Sequence, residues 1–269
     1  MVLQGGEEWP VDALSERLDA AYYALTRTTS RHFSKPGDGW FLTGVAGLDA
    51  PTMNRAVVET NATSEVANLL READAFFAER ECQWSVVLAG FRDTHRWHPE
   101  LVSRGLTPSA SLDVLLREPG PMAGEQGPTS AIRVAAANET GVFTDVLMEV
   151  FRMPRRFYPA LLDMTDAWRK AGATLYLAEQ DGEVVGTTLM AIIDGVAGIY
   201  NVGTLRRARR QGLGRAMMAR ALEDSKNADL VTLQVAPDGF VEGFYLDLGF
   251  IPRYSWRFYA PRPKGFFGR

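Results

Sequence analysis

One stretch, residues 196–222, limits what this chain can fold into. Val196-Ala-Gly-Ile-Tyr-Asn-Val-Gly-Thr-Leu205 favours an extended strand. Arg206-Arg-Ala-Arg-Arg-Gln-Gly-Leu-Gly-Arg215 follows as a glycine-containing loop, and an apolar run with helical character closes the stretch at Leu222. A helix N-terminus leaves several backbone N–H groups without intrahelical acceptors and carries partial positive charge. Gly212 and Gly214 remove side chains where an anion would approach that backbone. Six arginines (206, 207, 209, 210, 215 and 220) lie between residues 195 and 222, with no Asp or Glu among them. Strand, loop and helix together read as a built anion site.

The spacing is narrower than a bare Gly-x-Gly, which is weak on its own. Arg209-x-x-Gly212-x-Gly214 directly after a strand resembles the acyl-CoA pyrophosphate loop of the GNAT acetyltransferase superfamily. A second signature, Tyr245-Leu-Asp-Leu-Gly249-Phe250, resembles that family's catalytic-tyrosine segment. The resemblance covers residues 130–260. It departs at Arg206, where relatives often carry proline, which changes loop stiffness and adds charge but leaves the glycines in place. The resemblance implies an α/β fold of the α+β kind, the mixed sheet of the GNAT acyl-CoA N-acyltransferases.

Composition narrows the function classes. A length of 269 residues allows one large or two small domains, each with a core. Net charge is −4, so the arginine cluster is a local feature on a mildly acidic body, which argues against a general nucleic-acid binder. The single cysteine, Cys82, excludes an internal disulfide and a cysteine-rich zinc site. No charged-then-apolar leader opens the chain and no apolar run reaches the ~18 residues of a membrane span, so a cytoplasmic protein without membrane contact is expected.

Taken in order, the spacing predicts an amphipathic helix over 10–27 on Leu14, Leu18, Ala21, Tyr22 and Leu25. Residues 34–52 read as loop-rich with a short strand at 40–43. Strand 55–60, helix 63–79, strand 83–88, helix 98–104 and strand 109–116 follow. The run Glu118-Pro-Gly-Pro-Met-Ala-Gly-Glu-Gln-Gly-Pro128, with three prolines and three glycines, is the clearest boundary, and a loop inside one domain is the alternative reading. Beyond it come strand 131–136, helices 143–151 and 156–170, and strands 175–179 and 184–193 joined at Asp181-Gly182. Asp194-Gly195 turns into strand 196–205, and helix 212–226, strand 230–236, helix 239–248 and strand 253–260 complete the chain. The expected domains are therefore 1–117, a linker at 118–128, and 129–269.

A faint internal repeat accompanies this division. Strand 55–60, helix 63–79 and strand 83–88 parallel strand 196–205, helix 212–226 and strand 230–236. Leu101 and Gly105 then stand where Tyr245 and Gly249 stand, at one common offset of 144 residues. Thr60-Asn-Ala-Thr-Ser64 replaces the arginine–glycine loop. This pattern resembles tandem members of the superfamily, here with a degenerate N-terminal half that lost both phosphate cradle and phenol. A GNAT-like strand order in the first half is the expectation that tests it.

The resemblance implies a chemistry: direct transfer of an acetyl group from acetyl-CoA to a primary amine, on a small molecule or a peptide. Backbone N–H groups around Arg209, Arg210, Gln211, Gly212, Leu213, Gly214 and Arg215 would bind the pyrophosphate, with arginine side chains adding charge-assisted bonds. The strand backbone at Val202, Gly203 and Thr204 would pair with the pantetheine arm, and an N–H near Val202 would stabilise the oxyanion. Tyr245 would be the general acid for the leaving thiolate; a packed amphipathic tyrosine is the competing reading. No residue stands out as the base: Glu149, Glu179, Asp238 and Tyr200 are conceivable, a surface or structural role is the better reading of each, and a chain of waters could do the same work. Phe151, Tyr158 and Trp168 lie in the two-helix region that covers the acceptor in relatives, and helical packing explains each separately. His32, His95 and His98 lack metal-ligand spacing, and no metal is expected. Two rivals stand beside the enzyme: a non-catalytic acyl-CoA-binding regulatory protein, and a nucleic-acid-binding module using the cluster from Arg206 to Arg215, which the acidic net charge disfavours. The acceptor is not readable from the sequence, and a monomer and a homodimer are both compatible with it.

Overall fold

The computed structural model describes residues 11–59, 66–90, 97–124, 126–237 and 239–261. The elements are α1 (Val11–Thr26), β1 (His32–Pro36), β2 (Trp40–Val45), β3 (Arg55–Val58), α2 (Val66–Ala78), β4 (Ser85–Ala89), α3 (Trp97–Ser103) and β5 (Leu106–Arg117). They continue with β6 (Ile132–Val134), α4 (Thr140–Val150), α5 (Tyr158–Lys170), β7 (Thr174–Gln180), β8 (Glu183–Ile193), β9 (Val196–Thr204), α6 (Leu213–Asp224), β10 (Leu230–Val235), α7 (Phe240–Leu246) and β11 (Ile251–Pro261).

Contacts divide the chain into two compact units that are not contiguous in sequence. One takes Met1–Ser30 with Val114–Arg253, the other Arg31–Asp113 with Tyr254–Arg269. Helix α1 thus belongs with β8 and β9, and strands β5 and β11 each contribute residues to both units.

In the first unit the strand order is β5-β10-β9-β8-β7-β6. Strands β6 to β9 run antiparallel, with α4 and α5 between β6 and β7, and the β7–β8 and β8–β9 turns are the ones the sequence signals. Asp181 (φ 51°) and Gly182 (φ 80°) close β7 onto β8, and Asp194 (φ 48°) and Gly195 (φ 75°) close β8 onto β9. Both residues of each pair sit at positive φ, the geometry whose twist matches that of adjoining strands. Helix α6 then carries the chain to β10, which lies parallel to β9. The core unites Tyr176, Ile199, Leu213, Met217, Met218, Val231, Leu233, Tyr245 and Phe250. Each large apolar side chain buried there contributes about 1.5–3 kcal/mol. Arg17 of α1 donates to the Asp194 carbonyl at 3.1 Å and ion-pairs with Asp229, so α1 is tied to the turns at the end of β8 and before β10.

The second unit has the order β1-β2-β3-β4-β11-β5. Here too an antiparallel run ends on a parallel pair, β3 with β4, reached through a helix, α2. Its core is aromatic: Trp40, Phe77, Trp84 and Trp97 pack with Leu42, Leu69 and Leu101. Phe77 and Trp84 stack at 5.6 Å with 14° between planes. Leu101, the positional counterpart of Tyr245, is fully buried. The parallel pair with its connecting helix follows the order expected of the first half. Strand β1 was not expected, and β2 is longer than the short strand predicted at 40–43. The segment His-Phe-Ser-Lys-Pro alternates around an exposed face and ends on proline, so only pairing with β2 marks it as a strand. The Thr60–Ser64 replacement loop lies outside the described residues.

Among the described residues no helix is long and apolar enough to cross a membrane. The entry to α4 is held by charge instead. Arg133 donates to both Glu139 oxygens at 2.6 and 2.7 Å and to Glu179 at 2.8 Å, and Glu139 accepts from the Ala136 N–H at 2.7 Å. The Arg133 hydrogen bonds, followed by the Ala136 N–H, hold the Glu139 carboxyl down to about 2. A depressed carboxyl contributes stability above its unfolded value and loses it as pH falls through its folded value. Glu139→Gln should therefore lower Tm at pH 7, and the gap to wild type should close between about pH 4.5 and pH 2. Thermal melts across that range check this; a gap independent of pH would contradict it.

Candidate functional site

The site lies in the first unit, where β9 leaves β10. The two strands pair in parallel only from Leu230 opposite Val196 to Thr232 opposite Gly198, although both run on to Val235 and Thr204. On its other side β9 stays paired with β8 to Thr204, but the ladder shifts register. Leu189 stands opposite Tyr200 and Thr187 opposite Gly203, so Thr188 faces both Asn201 and Val202. This is a β-bulge, with Asn201 at φ 56° and its carbonyl accepting the Thr187 hydroxyl at 3.1 Å. A bulge re-aims the backbone at the point where the parallel pairing has ended. Main-chain groups on the β10 side of this segment are thereby left to pair with something else.

Below the strand the chain makes a single turn of 3-10 helix (Arg206–Ala208) and then two left-handed residues, Arg210 (φ 63°) and Gly212 (φ 78°). Gly212 caps α6. Leu213 is buried in the core, which anchors the first turn and leaves the N–H groups of Gln211, Gly212, Leu213 and Gly214 without acceptors among the described residues. Those donors and the helix dipole lie where the sequence predicts an anion cradle, and such a set of groups suits an anion. A Cβ built on Gly214 would lie 3.6 Å from the Phe244 ring, ordinary contact, so that ring of α7 lines the cradle.

The arginines do not converge on it. Arg207 pairs with Glu183 at 2.9 Å and stands 3.8 Å from Glu149. Arg220 pairs with Asp224 at 2.9 Å, one turn along α6. Arg209 donates to the Thr204 carbonyl at 3.2 Å, locking the loop onto the end of β9. Arg215 reaches the Ala123 carbonyl at 3.5 Å. Arg210 stands over the Phe240 ring, 4.5 Å from its centre. Arg207 and Arg220 are thus engaged by acids, and Arg209 and Arg215, expected as anion ligands, reach backbone carbonyls.

The stretch read as a boundary is packed against this cradle. The Arg117 guanidinium donates to the carbonyls of Gly120 at 2.8 Å and Pro121 at 2.7 Å, and Met122 enters the core. Gly127 lies so close to the α6 N-terminus that a Cβ there would meet the Gly212 carbonyl oxygen at 2.6 Å. Nothing in the local composition signals that contact.

Tyr245 sits on α7, buried to 6% exposure between Phe244 and Phe250, with ring centres 5.1 and 6.1 Å away. Burial pushes its phenol up to about 12. Among the expected bases, Glu179 is held by Arg133, and burial raises the Tyr200 phenol, so it stays protonated. Asp238 and His95 lie outside the described residues. Val202 packs on the core and Gly203 lies beneath Val150, whose Cγ1 would be 2.3 Å from a Cβ built there. Phe151 is exposed, whereas Trp168 is buried in α5. Among the described residues no group of His, Cys, Asp and Glu is arranged to hold a metal ion. Sequence reasoning missed Asn201 and Gln234. One stands on each diverging strand, and each has a buried side-chain nitrogen without a partner. A lone amide in a strand gives no signal until the neighbouring strand departs.

An antiparallel run followed by a parting parallel pair, with a glycine-capped helix between them, is the GNAT fold. Residues 143–250 match the model of the acetyltransferase (GNAT) family. A GCN5-related N-acetyltransferase from Kribbella flavida superposes with a TM-score of 0.67 at 22% identity, over 93% of this chain and 96% of that one. A GCN5-related N-acetyltransferase from Sphaerobacter thermophilus gives 0.62 at 18% identity, over 85% and 82%. A tandem GNAT protein from the clavulanic acid biosynthesis pathway, solved without AcCoA, gives 0.60 at 15% identity, over 88% and 86%. No curated protein matches the chain.

An unpartnered buried amide contributes no hydrogen bond to the folded state, so an apolar side chain of similar length replaces it at little cost. Gln234→Met should leave the urea midpoint unchanged or raise it. A loss above about 1 kcal/mol would show that the amide has a partner.

Proposed function

We propose that this protein is an acyl-CoA-dependent N-acyltransferase that moves an acetyl group from acetyl-CoA to a primary amine by direct transfer. One observation carries the reading: the free N–H groups from Gln211 to Gly214 lie at the foot of a strand that has parted from its parallel neighbour. A diphosphate on the cradle leaves an amide-rich arm free to run up β9 and take the backbone bonds that β10 gives up. The match of residues 143–250 to the acetyltransferase family supports the same reading.

In the reaction the amine nitrogen attacks the thioester carbon, the C–N bond forms, the C–S bond breaks, and the nitrogen loses the proton that the sulfur gains. In this reading an N–H at the β9 bulge near Val202 stabilises the oxyanion. Tyr245 has the role of donor to the leaving sulfur. Burial keeps its proton in place at every physiological pH but also makes it a weak acid, so donation follows the build-up of charge on sulfur. Asn201 and Gln234 offer two further donors beside the arm.

We also read the chain as a tandem of two GNAT-like halves with the cofactor site only in the second. The repeated order in the other unit supports this, an antiparallel run, a helix and a parallel strand, with Leu101 in the place of Tyr245.

Calorimetric titration with acetyl-CoA, beside Gly214→Glu, tests the cofactor. The glycine has room for a side chain, so the variant should fold, and its carboxylate should abolish binding that wild type shows at one site per chain. No binding to wild type at millimolar cofactor overturns the reading; two sites overturn the one-site tandem. With an acceptor from an amine screen, Tyr245→Phe should lower kcat by about 10²-fold or more while leaving acetyl-CoA affinity within about twofold. An unchanged kcat would remove Tyr245 from the mechanism and leave the donor role unfilled. Because the phenol titrates near 12, the wild-type rate should show no alkaline fall below about pH 10.

A further inference from the structure

Phe240 opens α7 with 72% of its surface exposed, more than any other large apolar side chain among the described residues. An exposed phenyl ring is unremarked when it stands alone. This one does not. The Arg210 guanidinium lies over its ring, and Phe244, one helical turn further on, lies against Gly214 at the mouth of the cradle. The two rings form a row beside the free N–H groups, with Phe244 inward and Phe240 outward. Arg210 is held left-handed at φ 63°, a conformation arginine rarely takes, and that conformation belongs to the same loop.

We propose that Phe240 and Arg210 form a stacking platform for the adenine base of the cofactor, so that the site selects acyl groups carried on coenzyme A over the same pantetheine arm without its nucleotide. The inference rests on the acyl-CoA reading. With the diphosphate on the cradle, the nucleotide emerges one linkage away, on the side where the ring row leads outward. A flat base finds there an aromatic face that is mostly open and a guanidinium that stacks on π-systems. Arg210 also supplies positive charge for the phosphate on the ribose. The platform is separate from the transfer chemistry, since Phe240 lies at the opposite end of α7 from Tyr245.

The test compares acetyl-CoA with acetyl-4′-phosphopantetheine, by calorimetry, on wild type, Phe240→Leu and Phe240→Trp. Phe240 is exposed, so neither variant removes core packing, and circular dichroism checks that both fold. Wild type should prefer acetyl-CoA. Phe240→Leu, which keeps apolar bulk but no π-face, should lose roughly tenfold in acetyl-CoA affinity and nothing for acetyl-4′-phosphopantetheine. Phe240→Trp should stay within about twofold of wild type for both ligands. Unchanged acetyl-CoA affinity in Phe240→Leu overturns the platform, as does an equal loss for both ligands, which would make the ring a support for the loop. Either result leaves the acyl-CoA reading standing. A wild type that binds neither ligand overturns that reading itself.

Discussion

The parting of β9 from β10 is the constraint on which the rest of the site depends. Two parallel strands that stayed paired to their ends would satisfy each other's backbone and leave nothing for a ligand. Here the pairing stops at Thr232 and Gly198, and the Asn201 bulge turns the following backbone. Buried main-chain groups seldom go without partners. A strand that keeps one neighbour and gives up the other is a template for an extended amide chain. The α6 cradle, the α7 rings and the two orphaned amides lie around that opening.

Packing, more than charge, builds the cradle. Leu213 in the core fixes the first turn of α6, the left-handed Arg210 and Gly212 turn the chain into it, and Arg209 bonds the loop to the end of β9. The close approach of Gly127 to the Gly212 carbonyl adds a brace from a segment more than eighty residues earlier. Arg207 is neutralised by Glu183 of β8, and Arg220 by Asp224 one turn along its own helix. The loop therefore offers a ligand chiefly a set of preorganised N–H dipoles, with a smaller contribution from free cations than the run of arginines suggests. Such dipoles cost little reorganisation when an anion arrives.

The two contact units share chain in an unusual way. Val114–Arg253 completes its strand order with the last residues of β5, and Arg31–Asp113 takes in the greater part of β11. In the first unit Thr232 bonds the Leu115 carbonyl at 2.9 Å; in the second, Ser109 and Ser111 bond carbonyls of β11 at 3.3 and 3.2 Å. The second unit thus takes most of β11 from the C-terminal end of the chain, and the first takes α1 from the N-terminal end. Helix α1 joins the first unit through Arg17 and through the Tyr22 ring, 5.9 Å from that of Tyr200.

By itself the sequence determined the local elements and the glycine-capped loop before α6. Asp-Gly pairs fix two turns because both positions take positive φ, apolar spacing fixes the helices, and Arg-x-x-Gly-x-Gly after a strand fixes the left-handed entry to α6, all through interactions within a few residues. Strand β1 escaped it, since that segment is a strand only by virtue of its neighbour. Tertiary structure alone decided the length of the β9–β10 pairing, the pairing of Arg207 with Glu183, the orphaning of Asn201 and Gln234, the raised Tyr245 phenol and the assignment of α1 and β11 to their units. Each of these depends on which residues distant in the chain come to lie side by side, and register and burial are properties of the packed sheet that no local pattern encodes.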